Sequence, residues 1–466
     1  MRSNVIEKIV NSGLCIGCGT CAGVCPQKAL GIQFNNYGEY TPVQEKNCLN
    51  ECGLCLKVCP FSDGNENETD IGTKLYGNID GINYLFETGY YLDSYVGYAP
   101  IFRQSSSSGG IVTWILTTLL KNNVVDYVIC VSPQHNPEQL FKFETFSDVN
   151  SVLNSFGSVY YPVEMSEVIQ KVLTVPGRYA VTGLPCFIKA IRLATQKNRK
   201  LRERIVFTIG LVCGQMKSKN YTKYIAAIAG NDSFKKIQSV YYRGKSPEKP
   251  ASNYYYQFTD EHGSQNKIFW NEGVSEAWVN RWFTPNACNY CDDVFAELAD
   301  ITFMDAWLSE YAKDARGTNL VLVRSPEILD IIQEGMKKNE INIRKIAIEK
   351  VIKSQAGVIY FKRNQLSYRL HIALQEGQEI PEKRVPPEEN IGVLKKREIK
   401  LKARMQNESK ELFLDCCQNR VLDVKTFRNG MQPYIKQTKQ LRLFGKLALP
   451  IQVIKKIGKR EGKENE

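Results

Sequence analysis

Long apolar runs are missing from this chain. Its longest aliphatic stretch, "IVTWILTTLL" from Ile111 to Leu120, is half of the roughly 20 residues that a membrane span requires. The opening residues, "MRSNVIEKIVNSG", hold no continuous apolar core of the kind a secretory signal carries. Export and bilayer crossing are therefore not expected, and a cytoplasmic protein is. Histidine is also scarce: His135, His262 and His371 are the only three, they share no ligand spacing, and they are expected at the surface or in loops. No solenoid period recurs along the chain.

Acidic and basic residues are unevenly spread. Residues 1–80 hold 6 Lys and Arg against 9 Asp and Glu, net −3, whereas residues 391–466 hold 19 against 8, net +11, close to the whole excess of +12. Nucleic-acid binding through that tail is not expected, because charge runs are usually solvated faces. Cysteine, by contrast, is plentiful. Fifteen cysteines in 466 residues would suggest disulfides in a small secreted chain, but here they cluster at metal-ligand spacing.

Cys15, Cys18, Cys21 and Cys25 follow C-x2-C-x2-C-x3-C-P, the bacterial ferredoxin run, in which three thiolates hold one [4Fe-4S] cube and the fourth reaches a second. Cys48, Cys52, Cys55 and Cys59 repeat it before Pro60, with the first gap one residue longer. A crossed assignment follows, with Cys15, Cys18, Cys21 and Cys59 on one cluster and Cys48, Cys52, Cys55 and Cys25 on the other. Structural zinc sites normally use two separated C-x2-C pairs, so the doubled triplet favours iron and sulfur.

"FSDGNENETDIGTKLYG", Phe61–Gly77, is polar and Gly/Asn-rich and reads as a linker. From Tyr95 strand-like runs alternate with helical ones: a helix over Ile111–Leu120, strand "VDYVICV", a helix over Met165–Leu173, strand "RYAVTG", a helix over Cys186–Ala194 and strand "RIVFTIGLVC". "NYYYQF" and "HGSQNKIFW" add an antiparallel ribbon. The expected fold class is mixed α+β and α/β: a two-cluster ferredoxin module over 1–62, a linker over 63–94, an α/β domain over 95–362, and a helical basic extension over 363–466.

In "RQSSSSGGIVTWIL" hydroxyls and two glycines directly precede an apolar helix, an arrangement suited to phosphate; a flexible Ser/Gly linker is the alternative. In "YAVTGLPCFIKAIR", Cys186 and Lys189 face whatever sits at a strand's carboxyl end. Cys213 ends the next strand, and Cys288 and Cys291 form a further C-x2-C. Singly these could be buried thiols; together they point to a third metal centre. Cys130 is expected in the core, and the adjacent Cys416 and Cys417 diverge on a helix, unsuited to sharing a metal.

The ferredoxin runs, "SSSSGGIVTWIL", "VDYVICV", "TGLPCFIKAIR", "GLVCGQMKS", "CNYCDDVFAELADITFMDAW" and "GTNLVLVRS" together resemble the family of coenzyme F420 hydrogenase/dehydrogenase beta subunits over about residues 1–325. That resemblance implies FAD and a [4Fe-4S] cluster in the central domain, the cluster on Cys186, Cys213, Cys288 and Cys291. It further implies FAD diphosphate at Ser107, Ser108, Gly109 and Gly110, and a cofactor pocket lined by the segment carrying Asp300 and Asp305. Met304 stands where family members often have glycine, and the tail is similar to that of bacterial members associated with surface polysaccharide synthesis.

A flavin accepts a hydride and releases electrons singly, which makes it the converter between a hydride carrier and one-electron cubes. The expected function is a flavin-dependent iron–sulfur oxidoreductase acting on a deazaflavin or a small molecule such as a glycan precursor. Its alternative is an electron-transfer subunit serving a redox partner protein, either ferredoxin-like or catalytic. No catalytic residue is assigned. In "LRLFGKLALPIQVIKKIGKR", Ile451, Ile454 and Ile457 oppose Lys455, Lys456, Lys459 and Arg460, giving the expectation of peripheral contact with the inner membrane face or, equally, of a helix packed on the protein's own body with its lysines in water.

Overall fold

Runs such as "YAVTG" and "NLVLV" carry no polar face, so they are stable only where both sides of a sheet are covered. In the computed structural model both are fully buried strands at the middle of one sheet. The structure describes residues 4–48, 52–155, 157–231, 237–418 and 421–461, with side chains at 418 and from 445 onward outside the described residues.

Strands β1 (Leu30–Phe34) and β2 (Tyr40–Gln44) form an antiparallel hairpin between the two cysteine runs. A second hairpin pairs β3 (Asn83–Leu85) with β4 (Gly89–Tyr91). The large sheet is built from β5 (Asp93–Tyr98), β6 (Tyr127–Pro133), β7 (Phe141–Phe146), β8 (Tyr179–Gly183) and β9 (Ile205–Leu211) together with later strands. A separate antiparallel ribbon follows in β10 (Ile237–Gly244), β11 (Tyr255–Asp260) and β12 (Gln265–Phe269). The sheet is completed by β13 (Ile301–Asp305), β14 (Asn319–Val323) and β15 (Asn342–Lys345), in the order β15-β5-β14-β13-β9-β8-β6-β7.

Neighbours β6, β8, β9 and β13 run parallel, flanked by antiparallel strands on both sides. The helix Pro185–Lys197 makes the crossover from β8 to β9. Parallel strands end on a common edge, and here Gly183, Leu211 and Asp305 finish together. Helices Asn364–Gln375, Val393–Cys416 and Val424–Glu461 make up most of the chain beyond the sheet.

The segment 63–94, expected as a linker, carries regular structure. Asn67 caps a helix over Glu68–Tyr76, its side chain accepting from the Thr69 and Asp70 amides while Asp70 accepts from the Asn67 amide in return. This reciprocal box satisfies orphan donors at the helix start, and Ile71 and Tyr76 are buried behind it. Tyr76 Oη donates to Leu298 O at 2.9 Å, tying the helix to the segment leading into β13.

Candidate functional site

The N-terminal thiols gather in two neighbouring groups. Cys21 lies within electrostatic reach of Cys15, Cys18 and Cys59, and Cys59 in turn of Cys15 and Cys18. A small cavity of about 30 Å³ is lined by Cys25, Cys48, Cys52 and Cys55, bringing the last thiol of the first run among those of the second. Gly17 has φ of +72°, and a Cβ there would lie 2.5 Å from Tyr40 O, so only glycine lets the loop fold this tightly against β2. The Gly17 amide donates to Cys15 Sγ at 3.4 Å and the Ala29 amide to Cys25 Sγ at 3.3 Å, the kind of bond that stabilises thiolate sulfur.

A second gathering lies at the sheet's carboxyl edge. Cys186 opens the helix after β8, Cys213 follows β9, and Cys288 and Cys291 sit on the turn before β13; Cys186 is within electrostatic reach of the other three and of Cys18. The Met216 amide donates to Cys288 Sγ at 3.4 Å and Lys362 Nζ to Cys291 Sγ at 3.1 Å. Burial pushes the Cys15 and Cys213 thiols up to about 12, although Lys362 works against it at Cys213. Such thiols exchange their protons for metal rather than ionise alone. Among the described residues no three His, Cys, Asp or Glu side chains are close enough to share a single metal ion. The donor sets, four thiols each with amide or ammonium donors, fit cubes whose corners hold the sulfurs apart.

Beside the central thiols opens a cavity of about 570 Å³, within the usual range for ligand pockets. Its walls are Ser106–Ser108 and Gly110, the carboxyl ends of β8, β9 and β13, and an aromatic arm of Tyr160, Tyr254, Trp270 and Trp278. Cys213 is part of the same wall. Gly110, with φ of +83°, starts the helix Ile111–Lys121, whose first amide donates to Asn319 Oδ1 at 3.2 Å. The serine hydroxyls are engaged within the protein: Ser107 Oγ accepts from the Ser158 amide at 2.6 Å, and Ser108 Oγ donates to Thr318 O at 3.1 Å. Lys245 Nζ holds the carbonyls of Arg103, Ser108 and Arg316, and burial pulls its ammonium down to about 8.

Arg243 was invisible as a site residue in the sequence, since a lone arginine in "YYRGK" has no motif. Its guanidinium lines the cavity, stacks 4.5 Å from the Tyr254 ring and grips Asp305 with two bonds of 2.6 and 2.9 Å. Arg243 Nε is buried without a partner. A volume of this size, aromatic walls, a glycine-closed loop and an orphaned guanidinium N–H all fit a flavin nucleotide.

Of the expected flavin contacts, Ser107, Ser108, Gly110 and Asp305 line the cavity; Gly109 packs behind them, where a Cβ would lie 2.7 Å from Asn319 Oδ1. Lys189 and Asp300 do not line it. Lys189 points to the Glu68–Tyr76 helix, with Nζ 3.2 Å from Glu68 Oε2 in a buried pair. Asp300 precedes β13 whereas Asp305 ends it, so five residues of strand rising roughly 3.3 Å each put them on opposite edges of the sheet. There Asp300 accepts from Arg192 Nη2 at 3.0 Å and from the Thr208 amide at 2.6 Å, a structural knot between strands and helix. Cys130 is buried, as its apolar strand suggests.

Residues 14–62 match a 4Fe-4S dicluster domain. Residues 95–170 match the N-terminal part of the coenzyme F420 hydrogenase/dehydrogenase beta subunit, and residues 177–349 match its C terminus. The chain belongs to the family of these beta subunits. It is similar to one subunit of the F(420)H(2) dehydrogenase of Methanosarcina mazei, 24% identical over 216 residues that cover 45% of this chain and 55% of the relative. It is also similar to coenzyme F420-dependent sulfite reductase of Methanocaldococcus jannaschii, 25% identical over 321 residues, 64% of this chain and 43% of that protein. The chain thus spans about half the length of these curated relatives. A chain of the F420-reducing [NiFe] hydrogenase complex from Methanosarcina barkeri superposes with a TM-score of 0.49 at 16% identity, covering 64% of this chain and 98% of that one. The protein is accordingly an iron–sulfur member of an oxidoreductase family.

Proposed function

We propose that the protein is an iron–sulfur flavoprotein oxidoreductase that exchanges two electrons at FAD in the 570 Å³ cavity and passes them singly through three [4Fe-4S] clusters. The supporting observation is continuity. Cys48 is exposed, the set with Cys25 adjoins the set with Cys59 through Cys55, Cys18 reaches toward Cys186, and Cys213 belongs both to the central thiols and to the cavity wall. Electrons entering or leaving at the surface then have a path of thiol sets to the pocket. The chain's own residues bind and orient: Ser107–Gly110 and the helix start hold the diphosphate, the aromatic arm excludes water, and Arg243 fixes Asp305 at the pocket rim.

The names of the relatives favour the deazaflavin coenzyme F420 as the hydride partner and, since one is called a subunit, a redox partner protein. A glycan-precursor substrate rests on the resemblance of the tail alone. Anaerobically isolated protein is expected to hold about twelve irons with matching sulfide per chain and one noncovalent flavin. Stoichiometric zinc without sulfide removes the cluster reading; absent flavin leaves the pure electron-transfer reading.

No described helix is long and apolar enough to cross a membrane; the backbone of the membrane-contact segment belongs to the helix Val424–Glu461, and the side chains of its isoleucines and lysines lie outside the described residues. Flotation with anionic liposomes tests the contact. The full chain is expected to float at low salt and a chain ending at Gln440 to stay below; equal behaviour of the two disposes of it.

A further inference from the structure

Three buried cations converge on the turn that carries the central thiols. Lys362 Nζ donates to Cys291 Sγ at 3.1 Å and to Asp293 O at 2.6 Å. Arg369 Nε donates at 2.8 Å to the carbonyl of Asn289, a residue between Cys288 and Cys291, while Arg281 Nη2 donates at 3.2 Å to the Asn289 side chain. The two guanidinium groups sandwich the Phe361 ring at 4.1 and 4.0 Å. Arg281 Nε and Arg369 Nη1 are buried with no hydrogen-bond partner. Burial pulls the Arg281 guanidinium down to about 10 against the Cys288, Cys213 and Cys291 thiols, and burial together with the charge of Arg281 pulls Arg369 well below its ordinary value against Tyr290 and Cys291. Cations this deeply desolvated, with N–H groups left over, call for an anionic group beside them.

The N-terminal thiols have different neighbours. The Met165 amide donates to Cys18 O at 2.9 Å, which sets the Glu164 carboxylate against Gly19 in the first run, and Glu39 directly precedes Tyr40, whose carbonyl packs on Gly17; Lys410 holds Glu39 at 2.6 Å. Reducing a cube adds one negative charge to it. A cationic surrounding stabilises the reduced state and a carboxylate surrounding opposes it, most strongly where water is excluded.

We propose that Lys362, Arg281 and Arg369 form a buried cationic ring that sets the cluster on Cys186, Cys213, Cys288 and Cys291 at a higher reduction potential than the N-terminal clusters, so that electrons collect beside the cavity. The proposal rests on the three-cluster reading. A low-potential one-electron donor protein reduces an exposed N-terminal cube; that cube is reoxidised as the central cube is reduced, and no bond or proton needs to move. Lys362 and Arg369 are positioning residues in this scheme and touch no substrate.

The test is a redox titration of the full anaerobic chain followed by electron paramagnetic resonance, with the central signal assigned by its loss in Cys186→Ser. In the wild type the central midpoint is expected to be the most positive of the three. Lys362→Gln is expected to move it to more negative potential with the other two unmoved, and Lys362→Arg to restore it. A central midpoint at or below the N-terminal ones overturns the proposal. So does an unchanged central midpoint in both Lys362→Gln and Arg369→Gln when about twelve irons are retained. If Lys362→Gln loses its central cube, the wild-type ordering and Arg369→Gln decide. A wild-type count of about eight irons fells the three-cluster reading itself, and the ring with it.

Discussion

Arg384→Met is expected to lower the stability of the chain by about 3–5 kcal/mol near pH 7, the usual cost of removing one partner from a buried ionic network. Arg384 is 5% exposed at its side chain and lies in an irregular stretch between two C-terminal helices. Its Nε is 3.1 Å from Asp292 Oδ2, Nη1 is 2.6 Å from Glu297 Oε2, and Glu68 Oε2 lies at 3.7 Å. One side chain thus joins the helix Glu68–Tyr76, the turn after Cys291 and the approach to β13. Methionine keeps most of the volume and leaves the three carboxylates with Lys189 paired to Glu68, Arg363 paired to Glu297 and the nearby charge of Lys383.

The pH dependence has a definite sign. Burial raises the Asp292 and Glu68 carboxyls, but Arg384 and Lys383 at Asp292, and Lys189 followed by Arg384 at Glu68, outweigh it and hold both below the usual carboxylate range. Groups depressed in the folded state add stability that is full above their unfolded values, near 4, and lost as pH falls below them. The gap between wild type and Arg384→Met should therefore be widest near pH 7, hold down to about pH 5 and narrow as pH falls through and below about 4. Anaerobic thermal or urea unfolding at several pH values measures it. A gap under about 1 kcal/mol at pH 7 would mean that the network is worth no more than a surface pair.

Much of the fold could be read because its signals are local. The ferredoxin runs fix four thiols within eleven or twelve residues, and even the crossed exchange of Cys25 and Cys59 is written in the triplet spacing. The alternation of β6, β8 and β9 with helices follows from runs with no polar face. What escaped depends on partners far along the chain. Lys189 stands three residues after Cys186 on one helix, yet its charge answers Glu68, 121 residues away, on a helix whose polar composition hid a capping box. Asp300 and Asp305 look equivalent in "ADITFMDAW" until the strand between them is recognised. Arg281, Lys362, Arg369 and Arg384 carry no motif at all; only folding gathers them around the turn that carries Cys288 and Cys291.

Gly110→Val is expected to empty the cavity of flavin and leave the iron in place. The glycine sits at φ of +83°, a left-handed conformation that a β-branched residue adopts only with strain of about 1–3 kcal/mol. Space is lacking too: a Cβ there would lie 2.8 Å from the Phe102 carbonyl carbon and 2.9 Å from its oxygen, backbone that cannot yield without moving the loop. Ser107 and Ser108 would move with it, since Ser107 Oγ is tied to the Ser158 amide and Ser108 Oγ to Thr318 O. The first turn of the helix Ile111–Lys121 would then no longer present its amides to the proposed diphosphate position. A loss of about 1.4 kcal/mol already weakens binding tenfold, so strain of this size predicts protein isolated nearly free of flavin. The thiol sets lie on other segments, and about twelve irons per chain should remain, which separates a local defect from a failure to fold. Flavin released by denaturation, set against iron and sulfide in the same sample, gives both numbers. Wild-type flavin content in Gly110→Val would mean that the diphosphate binds elsewhere in the cavity.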